Sequence, residues 1–351
     1  MAVRMKDIAE DLGVSLMTVS KALRSHSDIS EETRNRVLKR ARELDYQPNW
    51  IARSLVTRRT YMVGFVIPDL MHSFFAEMAK GVARKLGPLG YQIVISNSEE
   101  DAETEERQIE LLVNRSVDGL IVAPAREKWR KTLADNIRSR KVPFVLVDRM
   151  PARVDANYVG ARDQDIGELA TAHLFEQGCR RIAHLQGPAA PNSKGRLRGY
   201  QLALEKHGLK PAPEYVADGG RDDASGYEGM RRLLKLAAPP DGVFCYNDPV
   251  AAGAVKAVLE SGLRVPEDVA IIGAGNVHYS DLLRVPLSTI DQSSTLIGES
   301  AADLLVHCME AKTAPKPRQI FIEPKLVVRE SSRRRQVGQL AKLRADWQSA
   351  L

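Results

Sequence analysis

The sequence predicts an α/β protein: an N-terminal all-α helix-turn-helix head, followed by a two-lobed body of doubly wound parallel sheets. Three observations carry the prediction. Apolar residues at helical spacing run from Ile8 to Leu12, stop at Gly13 and resume after Ser15. From Tyr61 onward, short apolar runs alternate with helical stretches, the pattern of parallel strands joined by crossover helices. With 351 residues, 44% of them hydrophobic, the chain has material for two or three cores.

In the head, Ile8, Ala9 and Leu12 share one face of a first helix, and Gly13 supplies the positive φ of a tight turn. Ser15 offers its hydroxyl as the N-cap of a second short helix. Val19, Ala22 and Leu23 fall on its buried side, while Leu16, Met17, Thr18 and Lys21 point outward from its first turns. From such positions a recognition helix meets base edges. A third amphipathic helix follows Ser30 through Val37, Ala41 and Leu44. Pro48 stops it, and Asn49 can cap a segment from Trp50 to about Thr57 that is too short to be stable alone.

Charge is unevenly placed. The net +6 divides into +4 in residues 1–60, from twelve Lys/Arg against eight Asp/Glu, another +4 in residues 329–351, and −2 elsewhere. A basic head suits a polyanion partner. Cys179, Cys245 and Cys308 lie far apart and read as buried thiols rather than a disulfide framework or zinc site. No apolar run reaches membrane length, and Asp7, Glu10 and Asp11 argue against a signal peptide, so a cytoplasmic protein is expected.

In the body, strands are expected at 62–67, 93–96, 119–123 and 144–147, with helices near 75–89, 103–114 and 128–138. The second half repeats the theme, with strands at 182–186, 215–217, 243–246 and 269–272 and helices near 166–177, 197–207, 225–236 and 251–261. A run at 287–290, a helix near 295–311 and a closing strand pair at 320–322 and 326–328 complete the chain. Such sheets bind ligands beyond the carboxyl ends of their strands. Phe74 and Phe75 there could stack on a flat ligand or simply start a helix. Asp148 and Arg149 end one strand with opposite charges that need partners, in a ligand or in an ion pair. Asn247 and Asp248 end another, and Gln292 follows the run at 287–290.

The collinear residues Lys6-Asp7-Ile8-Ala9, Gly13-Val14-Ser15, Thr18-Val19-Ser20-Lys21-Ala22-Leu23, Tyr46-Gln47-Pro48-Asn49 and Ile51-Ala52-Arg53-Ser54-Leu55 closely resemble the lac repressor (LacI/GalR) family. The resemblance continues through Val117-Asp118-Gly119-Leu120, Gly195-Arg196-Leu197-Arg198-Gly199-Tyr200 and Leu263-Arg264-Val265-Pro266, and covers nearly the whole chain to about Ser331. It implies a helix-turn-helix domain at 1–48, a hinge helix and linker at 49–60, and a periplasmic-binding-protein-like body at 61–331. Lobe 1 of that body is placed at about 61–161 plus 291–320, lobe 2 at about 162–290 plus 321–331, with a basic tail at 332–351.

The implied partners are a pseudo-palindromic DNA operator, a small-molecule effector and a second copy of the chain; the short tail favours a dimer over a tetramer. DNA contacts are expected from Lys6, Ser15, Leu16, Met17, Thr18, Ser20 and Lys21, and from Asn49, Ala52, Arg53 and Leu55 in the hinge. Leu55 would wedge between base steps in the minor groove. Arg196, Arg221, Asn247, Asn276 and Gln292 are expected to join Phe74, Phe75, Asp148, Arg149 and Asp248 around the effector, with Asn247, Asp248 and Gln292 either touching it or bracing the cleft. A bacterial, nucleoid-associated protein without cofactor or metal follows from the same resemblance.

An enzyme is disfavoured: there is no GxxxxGK[ST], HExxH or GxSxG run, and His278 stands where Gly273-Ala274-Gly275 would need a small residue to make a dinucleotide fingerprint. His72, His184 and His278 lack metal-ligand spacing. A free solute-binding protein would have no use for the head. Gly273-Ala274-Gly275-Asn276 lacks the aspartate many family members carry, and Arg221 stands where some place an aromatic. With Asp148 and Asp248 the only evident acids beside three arginines, the expected effector is anionic, a sugar acid or sugar phosphate.

Overall fold

The computed structural model describes residues 3–23, 26–46, 54, 57, 59–125, 129, 131–152 and 154–334. Asn49, Ala52, Arg53 and Leu55, most of the expected hinge helix and the tail beyond 334 lie outside the described residues. The chain divides into two compact units, Met1–Thr60 and Tyr61–Leu351.

In the first unit, α1 (Met5–Leu12), α2 (Leu16–Leu23) and α3 (Glu31–Glu43) enclose Ile8, Ala9, Val19, Ala22, Val37 and Ala41. Gly13 ends α1 at φ 63 and so permits the sharp turn into α2. Ser15 Oγ accepts the Thr18 N–H at 3.0 Å and Ser30 Oγ that of Thr33 at 3.3 Å, each satisfying a helix-end donor. Arg40 on α3 grips Asp11 through Nε and Nη2 at 2.9 and 2.6 Å, so part of the basic face is internally paired.

The second unit is built on two six-stranded sheets. Lobe 1 orders its strands β11-β5-β4-β3-β1-β2, with β1 (Met62–Ile67), β2 (Gln92–Asn97), β3 (Gly119–Val122), β4 (Phe144–Val147), β5 (Asn157–Ala161) and β11 (Gln319–Ile322) all parallel. Helices α4 (Ser73–Leu86) and α11 (Ser294–Glu310) cover one face, α5 (Ala102–Asn114) and α6 (Lys131–Ser139) the other. Lobe 2 orders β12-β10-β9-β8-β6-β7, from β6 (Ile182–Gln186), β7 (Val216–Asp218), β8 (Gly242–Cys245), β9 (Ala270–Gly275), β10 (Ser288–Asp291) and β12 (Lys325–Val327), of which β12 alone is antiparallel. Here α7 (Asp163–Glu176) and α8 (Pro191–Lys206) cover one face, α9 (Asp223–Leu234) and α10 (Asp248–Glu260) the other.

Sequence and structure differ in three places. β5 was not expected: it is short, and its place is fixed by pairing with β4 and β11. The closing strands do not pair with one another, because β11 joins lobe 1 and β12 lobe 2, which puts the last crossing after Ile322 rather than near 320. Several helices begin earlier than their apolar spacing suggests, since the caps Asp101, Asp222 and Asn247 stand two, three and four residues ahead of it. Cys179 and Cys245 are buried as expected, whereas Cys308 is only half-buried.

Three helix pairs meet glycine to backbone. Gly81 and Gly298 join α4 to α11, Gly167 and Gly199 join α7 to α8, and Gly226 and Gly253 join α9 to α10. A Cβ at any of the six would lie 1.9–2.2 Å from a carbonyl oxygen of the opposing helix.

Candidate functional site

In the head, packing of Val19 and Ala22 against α1 and α3 decides which side of α2 is left outside. Leu16 and Met17 stand there, 50% and 62% exposed. Thr18 shares a 2.8 Å hydrogen bond with Ser15, Ser20 is half-buried, and Lys6 is exposed 3.4 Å from Glu10. Lys21 pairs with Asp28; its hydrogen bond to that carboxylate outweighs the opposing effect of burial and, aided by His26, holds Asp28 below the ordinary carboxylate range. An exposed apolar pair with lysines beside it can contact thymine methyls and phosphates.

In the body, the carboxyl ends of the strands face a cavity of about 30 Å³ lined by residues of both lobes, among them Phe74, Phe75, Asp148, Arg149, Arg196, Arg221, Asn247 and Gln292. That space holds a water or two, not a sugar. Side chains bridge the lobes across it: Asn192 Nδ2 donates to Asp148 Oδ2 at 3.3 Å, and Asn247 Nδ2 lies 3.3 Å from His72 Nε2.

Arg149 is the centre of the lobe 1 wall. It follows Asp148, whose φ of 61 and the 2.6 Å Arg149 N–H to Val147 carbonyl bond form a tight γ-turn at the end of β4. Its guanidinium makes a two-point contact with Glu100, Nη1 to Oε2 at 2.6 Å and Nη2 to Oε1 at 2.7 Å, and Nη1 also donates to Pro124 O. Its buried Nε lies 3.4 Å from Asp148 Oδ2 without a hydrogen bond. Arg196 is braced from three sides, by Asp163 at 3.1 Å, Tyr246 O at 2.6 Å and Gln292 Oε1 at 3.0 Å, with its guanidinium over the Tyr246 ring. Burial pushes the Asp163 carboxyl up to about 7 although Arg196 pulls it down, and burial lowers His72 to about 4, leaving it neutral.

Two expected effector residues are not in this wall. Asp248 is buried beneath the end of β9, where its carboxylate accepts from Thr289 Oγ1, Ser280 Oγ and Val277 N; it braces the turn that closes the cleft floor. Asn276, at φ 51, turns its Oδ1 away to Arg329. The premise for an anionic effector fails too. Glu100 pairs with Arg149, Asp163 stands against Arg196, Asp69 lines the cavity, and Arg221 is exposed at its rim. Asp69, His72, Glu100, Asn192 and Tyr246 line the cleft without having been singled out for it; the rule that finds residues beyond strand ends, applied to β2, would have found Glu100. His184 is buried in lobe 2, stacked on Phe244 and Tyr200, with Nδ1 on Phe244 O. Among the described residues no group of three or more His, Cys, Asp or Glu could hold a metal ion, and no helix is long and apolar enough to cross a membrane.

Family models match both units: bacterial regulatory proteins of the lacI family at residues 4–49 and the periplasmic binding protein-like domain at 171–332. The chain is 34% identical over 328 residues to the HTH-type transcriptional repressor PurR of Mannheimia succiniciproducens, covering 93% of this chain and 97% of that one. It is 32% identical over 335 residues to the ribose operon repressor of Escherichia coli K12, covering 93% and 99%. Among solved structures it is similar to a lac repressor dimer bound to operator and the anti-inducer ONPF, with TM-score 0.82, 26% identity and 95% and 99% of the two chains covered. A complex of the transcriptional regulator CelR with cellobiose gives TM-score 0.71 and 30% identity over 94% and 99%. With the head, the two-lobed body and full-length relatives in agreement, the chain belongs to the lacI family of bacterial regulatory proteins and is a DNA-binding transcriptional regulator with an effector-binding domain.

Proposed function

We propose that the protein is a repressor that acts as a homodimer on a pseudo-palindromic operator, and that its effector is an uncharged, hydroxyl-rich molecule of the sugar class. In this reading residues 1–48 read the major groove through Leu16, Met17 and Thr18, with Lys6, Ser15, Ser20 and Lys21 as flanking contacts, Lys21 on a phosphate. Residues 49–60 carry Asn49, Ala52, Arg53 and Leu55 to the minor groove. Relatives named for purine and ribose regulation and a neighbour holding cellobiose support a small metabolite ligand.

The observation that carries the effector class is the Arg149 ion pair. A cleft whose two buried guanidinium groups, Arg149 and Arg196, already face carboxylates gains little from an anion, but a hydroxyl can accept from Arg149 Nε and donate to Asp148 at once. Phe74 offers an apolar edge for the C–H face of a sugar ring. Because the cavity is so small, entry requires the lobes to part and the Asn192–Asp148 and His72–Asn247 contacts to open.

The test is a thermal-shift panel of neutral sugars beside their oxidised and phosphorylated forms, since ligand binding to the folded state raises the melting temperature. Hits are then carried into a mobility-shift assay on operator fragments selected from genomic DNA. Shifts confined to the acids and phosphates overturn the effector class; a hit without effect on operator binding overturns its role as effector.

A further inference from the structure

We infer that Glu100 is the specificity residue of the cleft: it is a built-in counter-anion that occupies Arg149 and so excludes ligands bearing a carboxylate or phosphate. The inference rests on the cleft being the effector site, as proposed above.

Glu100 does not reach Arg149 by chance of a long surface side chain. It leaves the end of β2 in a loop tied to β1, with Ser98 N–H on Ile67 O at 2.9 Å and Glu100 N–H on Pro68 O at 3.0 Å. Glu99 and Glu100 sit consecutively at φ 52 and 58, a left-handed conformation that side chains other than glycine and asparagine rarely adopt. Asp101 then caps α5. The carboxylate so delivered meets the guanidinium fork-on, taking the two-point edge that a planar anion prefers.

What remains of Arg149 is guarded by a second carboxylate. Nη1 spends its second hydrogen on Pro124 O, and the side edge left by Nε and the second hydrogen of Nη2 is flanked by Asp148, whose Oδ2 lies 3.4 Å from Nε. An anion approaching the guanidinium therefore meets a carboxylate on each side, whereas an uncharged hydroxyl meets one donor and one acceptor. Like charges brought together in a site with little water discriminate strongly between partners. Glu99, the neighbour in sequence, takes no part: it lies on Asn97.

The test uses the full-length protein and its Glu100→Ala, Glu100→Gln and Glu99→Gln variants, titrated with sodium acetate at ionic strength held constant with chloride. In Glu100→Ala, acetate replaces the missing carboxylate, so the melting temperature rises saturably with acetate, and Arg149→Met in the same background abolishes the rise. The parent and Glu99→Gln respond no more to acetate than to chloride. A saturable response of the parent, or none in a folded Glu100→Ala, overturns the inference. Glu100→Gln keeps the shape of the side chain and guards against a variant that does not fold. With glucose and glucuronate, or whichever sugar and uronic acid the panel selects, its affinity ratio of acid over neutral rises about tenfold or more over the parent; an unchanged ratio overturns the inference. Should no sugar bind the parent, the effector class falls, while the acetate titration still decides the role of Glu100.

Discussion

Replacing Glu105 by glutamine should make the protein less sensitive to alkali, by an amount the structure sets. Glu105 on α5 is 1% exposed beneath lobe 1, where its carboxylate accepts the Ala125 N–H at 2.5 Å and the Trp129 indole N–H at 2.8 Å. It thereby anchors the segment whose Pro124 carbonyl holds Arg149. Burial raises its pKa from an ordinary 4.5 to about 7, against the pull of those two donors and of Arg149. The folded protein thus holds this proton more tightly than the unfolded chain. The resulting stability is present below about pH 4.5 and is lost as pH rises to about 7. At about 1.4 kcal/mol per tenfold change in proton affinity, the loss is about 3 kcal/mol. Glutamine has no proton to lose. It turns an NH₂ towards one of the two donors, a cost of about 1–3 kcal/mol that does not vary with pH. Urea unfolding followed by tryptophan fluorescence at a series of pH values should show the variant gaining about 3 kcal/mol on the parent between pH 4.5 and 7.5. Parallel pH curves for the two proteins would refute the reasoning.

Further outcomes follow from other parts of the molecule. Gly199→Ala drives a methyl group into the Gln164 carbonyl and should destabilise lobe 2 by about 1–3 kcal/mol while displacing Arg196 one turn earlier; calorimetry checks the first effect and sugar titration the second. Lys21→Ala should weaken binding to all DNA sequences alike and lower the salt slope by about one, the signature of a phosphate contact; a loss confined to one base pair assigns Lys21 to base readout instead. Leu55→Ala should weaken operator binding but leave non-specific binding and the melting of the body unchanged, and undiminished operator affinity removes the wedge role.

The head was legible because its signals are local: a glycine at the turn, serine caps and three apolar stripes fix three helices without reference to anything distant. The central strands β1, β3, β4 and β8 were legible for the same reason, being almost wholly buried and apolar throughout. β5 was not, because Asn157-Tyr158-Val159-Gly160-Ala161 becomes a strand only between two partners, one of them some 160 residues on. Asp163, the counter-charge of Arg196, went unseen with it. Residues that directly follow a strand, as Asp148, Arg149 and Asn247 do, line the cavity where strand ends place them. Which of them would brace the cleft rather than face it was not legible: the Asp248 side chain turns into the fold although its backbone stands at the cleft. Charge balance was the least legible property, since the pairing of Glu100 with Arg149 joins two loops 49 residues apart.

The glycine contacts between helices give the body the character of a mechanical linkage. Where two backbones touch, as at Gly167 and Gly199 or at Gly226 and Gly253, there is no side chain between the helices to compress or re-orient. Each lobe is then a stiff member, and work done by a ligand in the cleft cannot be absorbed as bending within it. The compliance that remains lies in the three chain segments that pass between lobes, from Ala161 to Asp163, from Asp291 to Ser294 and from Ile322 to Lys325. Three short pins joining two stiff members leave few independent motions, so binding should move the molecule between a small number of discrete postures rather than along a continuum. Amide hydrogens in the touching helical turns should accordingly be the slowest in the body to exchange, in every posture alike.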